Sequence, residues 1–250
     1  MDYKITIKKE INLNNTNYAS KSLNYSISNE SLFDIGTVLE KTYGLEKYIG
    51  ICGGGTQNLY ILSKLCKHNN LKEIVLIDEN GLQLDNFKQI ITLYNNFSQS
   101  QYEHELIKLI KKRAERIRFN IIRYLRFDKE KYKRTNLAKP PFNKNIKITL
   151  VTGDIFDFLS KASYNGKYFF YLSNILNYRE RTTNVGGRSA KLIEVLKNKN
   201  VASNSLLLLI RSTLLLESTK TIIIKKSDYL KKASNTFFAR LFNLLSMLKP

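Results

Sequence analysis

Cysteine, histidine, proline and tryptophan are scarce in this 250-residue chain. It contains two cysteines, two histidines, three prolines and no tryptophan. Two cysteines exclude a disulfide framework, and the spacing of Cys52 and Cys66 fits no zinc pattern. The histidines, His68 and His104, lie far apart in the sequence, which argues against a zinc hydrolase and against a histidine-based catalytic triad. We therefore expect no metal.

Long apolar runs are also missing. The run Leu206–Ile210 is far shorter than the ~20 residues that a membrane span requires, and the first residues show no signal-peptide h-region. With so few cysteines, these features predict a protein of the cytoplasm. Apolar residues make up 43% of the chain, close to the roughly 45–50% of globular proteins, which excludes extensive disorder.

Positive charge is the chain's main excess, with 41 basic and 21 acidic residues and a net charge of +20. The stretch 107–144 alone holds fourteen basic and three acidic residues. Apolar residues at helical spacing predict a helix over 102–127, followed by a looser stretch to 145. Three uses are open: a solvated lid, a surface for RNA or a nucleotide-bearing substrate, and an anionic membrane surface. An A/T-rich genome would also raise the lysine content.

Strand and helix patterns alternate outside this insertion. Strands are predicted at 48–52, 73–77, 146–152, 168–172, 206–211 and 221–225, and helices at 32–43, 58–68, 82–97, 156–162, 189–198 and 229–248. This alternation predicts an α/β, Rossmann-like fold with a mostly parallel sheet and helices on both faces. We expect residues 1–30 to form an N-terminal segment or lid. Residues 31–250 form a single domain with a basic helical insertion at about 102–145, and the last helix packs in the core or in a homodimer.

A glycine turn is the most informative motif. The strand at 48–52 leads into Gly53, Gly54 and Gly55 and then into a helix that carries Asn58. Glycines let the backbone approach a ligand, and Asp78, at the end of the next strand, is placed to accept hydrogen bonds from a ribose diol. The pattern is neither G-x-G-x-x-G nor a Walker motif. It predicts a nucleoside ligand, with S-adenosylmethionine favoured over NAD; the alternative is a strand-to-helix turn without a ligand.

Two later strand ends carry polar residues. Asp154 follows the third strand of this series and suits an adenine amino group, although it is equally suited to be the N-cap of the next helix. Ser173 and Asn174 follow the fourth strand, where a reacting centre would lie. The alternative for these two residues is a plain polar turn.

With these motifs the chain resembles class I S-adenosylmethionine-dependent transferases, and among them those that transfer the 3-amino-3-carboxypropyl group. The similar enzymes are the betaine-lipid homoserine-transfer, nicotianamine synthase-like and nucleotide-peptide microcin enzymes. The similar stretches are 53–62, 76–84 and 172–178, with Tyr25 and Glu30 upstream. The acid common before the glycine turn of methyltransferases is absent, as is an Asn-Pro-Pro-Tyr-like motif.

The resemblance implies S-adenosylmethionine as cosubstrate, bound by residues 53–55, Asn58, Asp78, Asp154, Ser173 and Asn174. In-line displacement at its sulfonium requires orientation more than acid–base chemistry. Tyr178, Glu30 and Asn174 are the catalytic candidates. Tyr25, Arg179, Arg181 and Arg188 are the candidates for holding an anionic acceptor, such as a nucleotide, a peptidyl-nucleotide or RNA, although the arginines would also suit a solvated surface.

Three functions are therefore open. The first is aminocarboxypropyl transfer with release of methylthioadenosine. The second is methyl transfer to RNA or a small molecule, and the third is a non-catalytic basic module that binds RNA.

Overall fold

The computed structural model describes residues 3–13, 36–52, 55–117, 138–161, 165–172, 187–197, 201–212 and 219–232. In chain order the elements are β1 (Ile5–Asn12), α1 (Gly36–Glu40), β2 (Lys47–Ile51), α2 (Gly55–Leu65), β3 (Glu73–Asp78), α3 (Gly81–Asn96), α4 (Gln99–Ile117), β4 (Ile146–Thr152), α5 (Ile155–Lys161), β5 (Tyr168–Tyr171), α6 (Gly187–Lys197), β6 (Leu206–Ser212) and β7 (Thr219–Lys225).

The strands form one seven-stranded sheet in the order β1-β4-β3-β2-β5-β6-β7. All neighbouring pairs are parallel except β6 and β7, which form an antiparallel pair at one edge. The five central strands follow the order 3-2-1-4-5 of doubly wound folds, with the switch point between β2 and β5. The predicted Rossmann-like α/β fold is therefore confirmed, and the six predicted strands are found within two residues of their expected bounds.

Apolar side chains cover both faces of the sheet. In β3, Ile74 and Leu76 join the core cluster that includes residues of α2, α3 and α4, while Val75 and Ile77 join the cluster that includes residues of α5 and α6. This alternation follows from the two-residue period of a strand. Burial on both faces explains why the central strands are continuous apolar runs in the sequence.

The N-terminal segment contains a strand that the sequence analysis did not predict. Residues Ile5–Asn12 form β1, which pairs in parallel with β4 at the edge of the sheet. Within the N-terminal segment expected over 1–30, this stretch is therefore part of the sheet, and a lid stays a prediction for 14–30, which lie outside the described residues. β1 has no apolar run from which a strand could be predicted, because it is an exposed edge strand with charged residues and a register shift between Ile7 and Lys9.

The basic insertion begins with α4, three residues earlier than predicted. Tyr102 and Leu106 on this helix are buried, so its first half is docked on the core. Lys139 Nζ donates to the carbonyl of Phe97 and lies over the ring of Tyr94. These contacts fix both ends of the insertion, while residues 118–137 and the end of the predicted last helix, 233–250, lie outside the described residues.

Candidate functional site

The carboxyl ends of the parallel strands bring the polar residues of the predicted site to one edge of the sheet. Ile51 pairs with Ile77, and Asp78 pairs with Thr152. The Gly153 N–H donates to the Asp78 carbonyl at 2.9 Å, so the residues that follow β3 and β4 are neighbours. This edge, which we call the carboxyl edge, therefore carries Gly55, Asp78 and Asp154 on adjacent connections.

Gly55 lies where α2 packs closely against α3, and only a residue without a side chain fits at this position. It is the first residue of α2 and is buried. A Cβ atom at this position would lie 2.7 Å from Cδ2 of Phe87 and 3.0 Å from Cδ1 of Ile90, both on α3. A side chain would therefore push α2 away from α3. Gly53 and Gly54, the other two glycines of the turn, lie outside the described residues, and their contact with a cofactor stays a prediction.

Asn58 holds the start of α2 against β2. Its Oδ1 accepts a hydrogen bond from the Tyr48 hydroxyl at 2.7 Å, and its Nδ2 donates to the Ile51 carbonyl at 2.9 Å. The side chain is fully buried, so its visible role is to shape the turn from inside. A direct contact between Asn58 and a cofactor stays a prediction.

Gly50 allows this close approach of helix and strand. A Cβ atom on Gly50 would lie 2.9 Å from Asn58 Oδ1 and 2.8 Å from a ring carbon of Tyr48. In the dinucleotide fingerprint, the third glycine of the helix permits the same approach. Here the strand supplies the glycine, at a position where the sequence analysis noted only that an acid is missing.

Asp78 is the carboxylate placed nearest to the predicted ribose position. Its Oδ1 accepts a hydrogen bond from the Asn80 N–H at 2.9 Å. Burial raises the pKa of Asp78 to about 7, the Glu79 carboxylate adds to the rise, and the Asn80 N–H opposes it. The side chain remains partly exposed, so a ligand can still reach it. Among the described residues no cation contributes to the pKa of Asp78, and a partly exposed carboxylate of this kind is suited to accepting hydroxyl hydrogen bonds.

Cys52 lines the inner side of the same edge. It is the residue after β2, it is fully buried, and its thiol lies 3.8 Å from the Gln83 carbonyl. Burial raises the pKa of the thiol, and the Asp78 carboxylate adds to this rise. Because thiols react as thiolates, Cys52 is an inert packing residue at neutral pH and is not a nucleophile.

Asp154 caps α5. Its Oδ1 accepts hydrogen bonds from the backbone N–H groups of Phe156 at 2.6 Å and Asp157 at 3.0 Å. The N-cap role considered in the sequence analysis is therefore present. The carboxylate remains partly exposed at the edge, and an additional contact with adenine stays a prediction.

Most of the predicted catalytic and acceptor-binding residues lie outside the described residues. These are Tyr25, Glu30, Ser173, Asn174, Tyr178, Arg179 and Arg181. Arg188 is the second residue of α6, but its side chain is not among those described. Their roles stay predictions, and only the strand that precedes Ser173 can be placed, with Leu172 next to Leu208 of β6 at the carboxyl edge.

Amide side chains, which the sequence analysis did not single out as a group, are buried around the carboxyl edge. Asn80 is the N-cap of α3, where its side chain accepts from the Leu82 N–H at 3.1 Å. Gln83 and Asn86 on α3 are also buried. Both amide atoms of Asn86 lack a hydrogen-bond partner among the residues that the structure describes. Polar residues in a packed helix interface are a signal for such positions, since they break the apolar period.

The described ranges offer neither a metal cluster nor a membrane span. These residues contain no group of three or more His, Cys, Asp or Glu side chains able to hold a metal ion. None of the helices in the same ranges is both long and apolar enough to cross a bilayer.

Comparison with known proteins gives structural likenesses only. No family model and no curated protein matches the sequence. Solved structures that resemble the chain include the rRNA methyltransferase aviRa from Streptomyces viridochromogenes, with 12% identity, a TM-score of 0.40 and coverage of 80% of this chain and 84% of that one. Another is the precorrin-6y C5,15-methyltransferase from Geobacter metallireducens, with 11% identity, a TM-score of 0.36 and coverage of 84% and 73%.

A third structure, a methyltransferase candidate from Streptococcus mutans in complex with SAH, has 10% identity, a TM-score of 0.34 and coverage of 85% and 82%. At these identities and TM-scores the likenesses carry no information on the reaction of this chain. Its function has to be inferred from its own residues.

Proposed function

We propose that the chain is an S-adenosylmethionine-dependent methyltransferase. The observation that carries this proposal is the position of Asp78, a partly exposed carboxylate at the end of β3, next to the end of β2, after which α2 begins at Gly55. Ligands of doubly wound folds bind at the carboxyl ends of the strands near the switch point, and a carboxylate at the second strand suits a ribose diol. Asp154, on the next connection, supports an adenine position beside it.

Methyl transfer requires fewer protein groups than aminocarboxypropyl transfer. Attack on the methyl group requires an acceptor held in line with the sulfonium, and orientation supplies most of the rate. Neither a metal nor a histidine is required for this step. The acceptor we propose is an anion such as RNA or a nucleotide, because the chain carries a net charge of +20.

Aminocarboxypropyl transfer is the second candidate. It is favoured by the resemblance of residues 53–62, 76–84 and 172–178, of which Asn58, Asn80 and Gln83 are buried around the carboxyl edge. This reaction additionally requires groups that hold the carboxylate and the amine of the methionine tail, the roles predicted for Asn174, Arg179 and Arg181.

The test uses S-adenosylmethionine labelled either in the methyl group or in the aminocarboxypropyl carbons, incubated with the protein and a cell extract that contains RNA. We expect methyl label in the product and release of S-adenosylhomocysteine. Label from the aminocarboxypropyl carbons with release of methylthioadenosine would establish the second candidate instead. Neither product, together with no measurable binding of S-adenosylhomocysteine, would leave only the non-catalytic function.

Two matched variants make this assay specific. Asp78→Ala removes the predicted ribose ligand and should lower the transfer rate about 10- to 150-fold at sub-saturating S-adenosylmethionine, whereas Asp157→Ala removes an exposed carboxylate at the same edge and should leave it unchanged. Tyr178→Phe should slow the chemical step more than it weakens cofactor binding, because the hydroxyl is predicted to orient the acceptor.

A further inference from the structure

Lysines gather at the edge of the sheet opposite the carboxyl edge. This amino edge is formed by the residues that precede β1 to β6 and follow β7, and by the C-terminal ends of α2, α5 and α6. Its backbone segments are bonded into one surface: Lys4 N–H donates to Asn145, Lys72 N–H donates to the Glu46 carbonyl, and Glu46 N–H donates to the Lys167 carbonyl.

A cluster of basic and aromatic side chains, which we call the amino-edge patch, lies at the centre of this surface. It consists of Lys41, Tyr43, Lys67, His68, Lys72 and Lys167. Tyr43 is 58% exposed and its ring centroid lies 5.2 Å from that of His68. Lys167 Nζ donates to the Tyr43 carbonyl, and the side chain of Lys72, which is 67% exposed, pairs with Glu46 at 2.8 Å. The patch therefore offers ammonium groups around an open aromatic ring.

Helix dipoles do not account for this arrangement. Lysines in the last turns of α2, α5 and α6 complement the negative helix ends, but Lys72 and Lys167 lie in connections between elements. Glutamates offset the patch only in part: Glu40 pairs with both Lys64 and Lys67, and Glu46 pairs with Lys72. With Lys41 and Lys167 included, five lysines against these two glutamates leave a net charge of +3.

The lysine enrichment expected from an A/T-rich genome does not account for this arrangement of lysines either, because such a bias would place lysines at both edges of the sheet. The described part of the carboxyl edge instead carries acids, among them Asp78, Glu79, Asp154 and Asp157. The lysines of the described sheet are therefore concentrated at the amino edge, whereas Arg188, Arg211 and Lys220 are the basic residues beside these acids at the carboxyl edge.

We propose that the amino-edge patch is a docking surface for single-stranded RNA. Lysines supply phosphate contacts without regard to sequence, and an exposed ring among them stacks on unpaired bases. A membrane-binding face would add apolar side chains that insert between lipids, whereas the exposed ring here is a tyrosine paired with a histidine. The surface is separate from the cofactor edge and anchors RNA independently of the group-transfer reaction.

The experiment measures fluorescence anisotropy of a labelled 20-nucleotide single-stranded RNA with the full chain at several salt concentrations. Lys41→Gln, Lys67→Gln and Lys72→Gln together should weaken binding at least tenfold. The same triple variant should make the log–log salt slope less negative by about 2, because each lost phosphate contact on a single strand changes it by about 0.7. A triple variant of Lys8, Lys9 and Lys231 to Gln, exposed lysines outside both the patch and the basic stretch 107–144, removes the same charge and should retain the wild-type affinity.

The aromatic ring gives an independent readout. Tyr43→Ala should weaken binding at least about fivefold at an unchanged salt slope, since loss of one stacked base has this order of effect, and Tyr43→Phe should restore it. Equal weakening by both triple variants would overturn the proposal, as would binding to phosphatidylserine vesicles without binding to RNA. Affinity for S-adenosylhomocysteine should be unchanged in all these variants, so a failure here is distinct from a failure of the proposed reaction.

Discussion

Replacement of Asp78 by Asn should weaken cofactor binding and at the same time stabilise the cofactor-free protein. The two side chains have the same shape, but Asn cannot ionise and offers one acceptor oxygen where the carboxylate offers two. Hydrogen bonds to a charged group contribute about 1.5–3 kcal/mol each. Loss of one such bond to the ribose corresponds to about 10- to 150-fold weaker binding of S-adenosylhomocysteine.

The raised pKa of Asp78 also makes wild-type binding depend on pH. With a pKa of about 7, half of the molecules carry the proton at pH 7, and the ribose hydroxyls bind best to the ionised form. If only that form binds, the dissociation constant at pH 6 is about tenfold larger than at pH 8. Asp78→Asn should abolish this dependence.

The stability effect has the opposite sign. The pKa of Asp78 is higher in the folded chain, about 7, than its ordinary value of 3.8, so between these values the folded state binds more protons than the unfolded state. The favourable contribution of the Asp78 carboxyl group to the free energy of unfolding is therefore complete below about pH 4, and it is lost as the pH rises to about 7. Three pKa units correspond to about 4 kcal/mol, and partial exposure reduces this, so Asp78→Asn should stabilise the cofactor-free protein by about 1–3 kcal/mol at pH 8.

Isothermal titration calorimetry with S-adenosylhomocysteine at pH 6, 7 and 8 measures the affinities, and urea denaturation at pH 5 and 8 measures the stabilities. Asp157→Asn, at an exposed position of the same edge, is the control and should change neither quantity by more than a small amount. Wild-type affinity that is independent of pH, together with unchanged affinity in Asp78→Asn, would refute the assignment of Asp78 to the ribose.

The other predictions concern packing around the turn and are each measured by urea denaturation. Gly55→Ala should destabilise the fold by about 1–3 kcal/mol, because its Cβ would overlap with Phe87; an unchanged midpoint would contradict this packing. Asn58→Leu should destabilise by about 2–4 kcal/mol, since it removes two buried hydrogen bonds, to the Tyr48 hydroxyl and to the Ile51 carbonyl, and the double variant with Tyr48→Phe should recover part of the loss. Asn86→Leu should stabilise by about 1–3 kcal/mol, because it removes two buried polar atoms that have no partner among the described residues; a loss of stability would show that the amide has a partner elsewhere in the chain.

Sequence patterns were sufficient for the arrangement of the central strands and for the position of the candidate site. Each strand is a short apolar run bounded by polar residues, and a parallel sheet places all strand ends at the same edge. For that reason Asp78 and Asp154 could be expected to lie together. The exposed edge strand β1 could not be predicted in this way, because its pairing with β4 depends on residues about 140 positions away.

Sequence by itself determined which residues follow each strand, since this depends on chain connectivity and local periodicity. Tertiary structure decided what those residues do. Gly50 permits helix approach only because Tyr48 and Asn58 pack above it, and Asp78 has a raised pKa because the surrounding protein desolvates it. The clustering of lysines at the amino edge likewise appears only when distant connections are folded side by side. Packing, desolvation and charge clustering depend on neighbours that are far apart in the chain, and local sequence patterns do not record them.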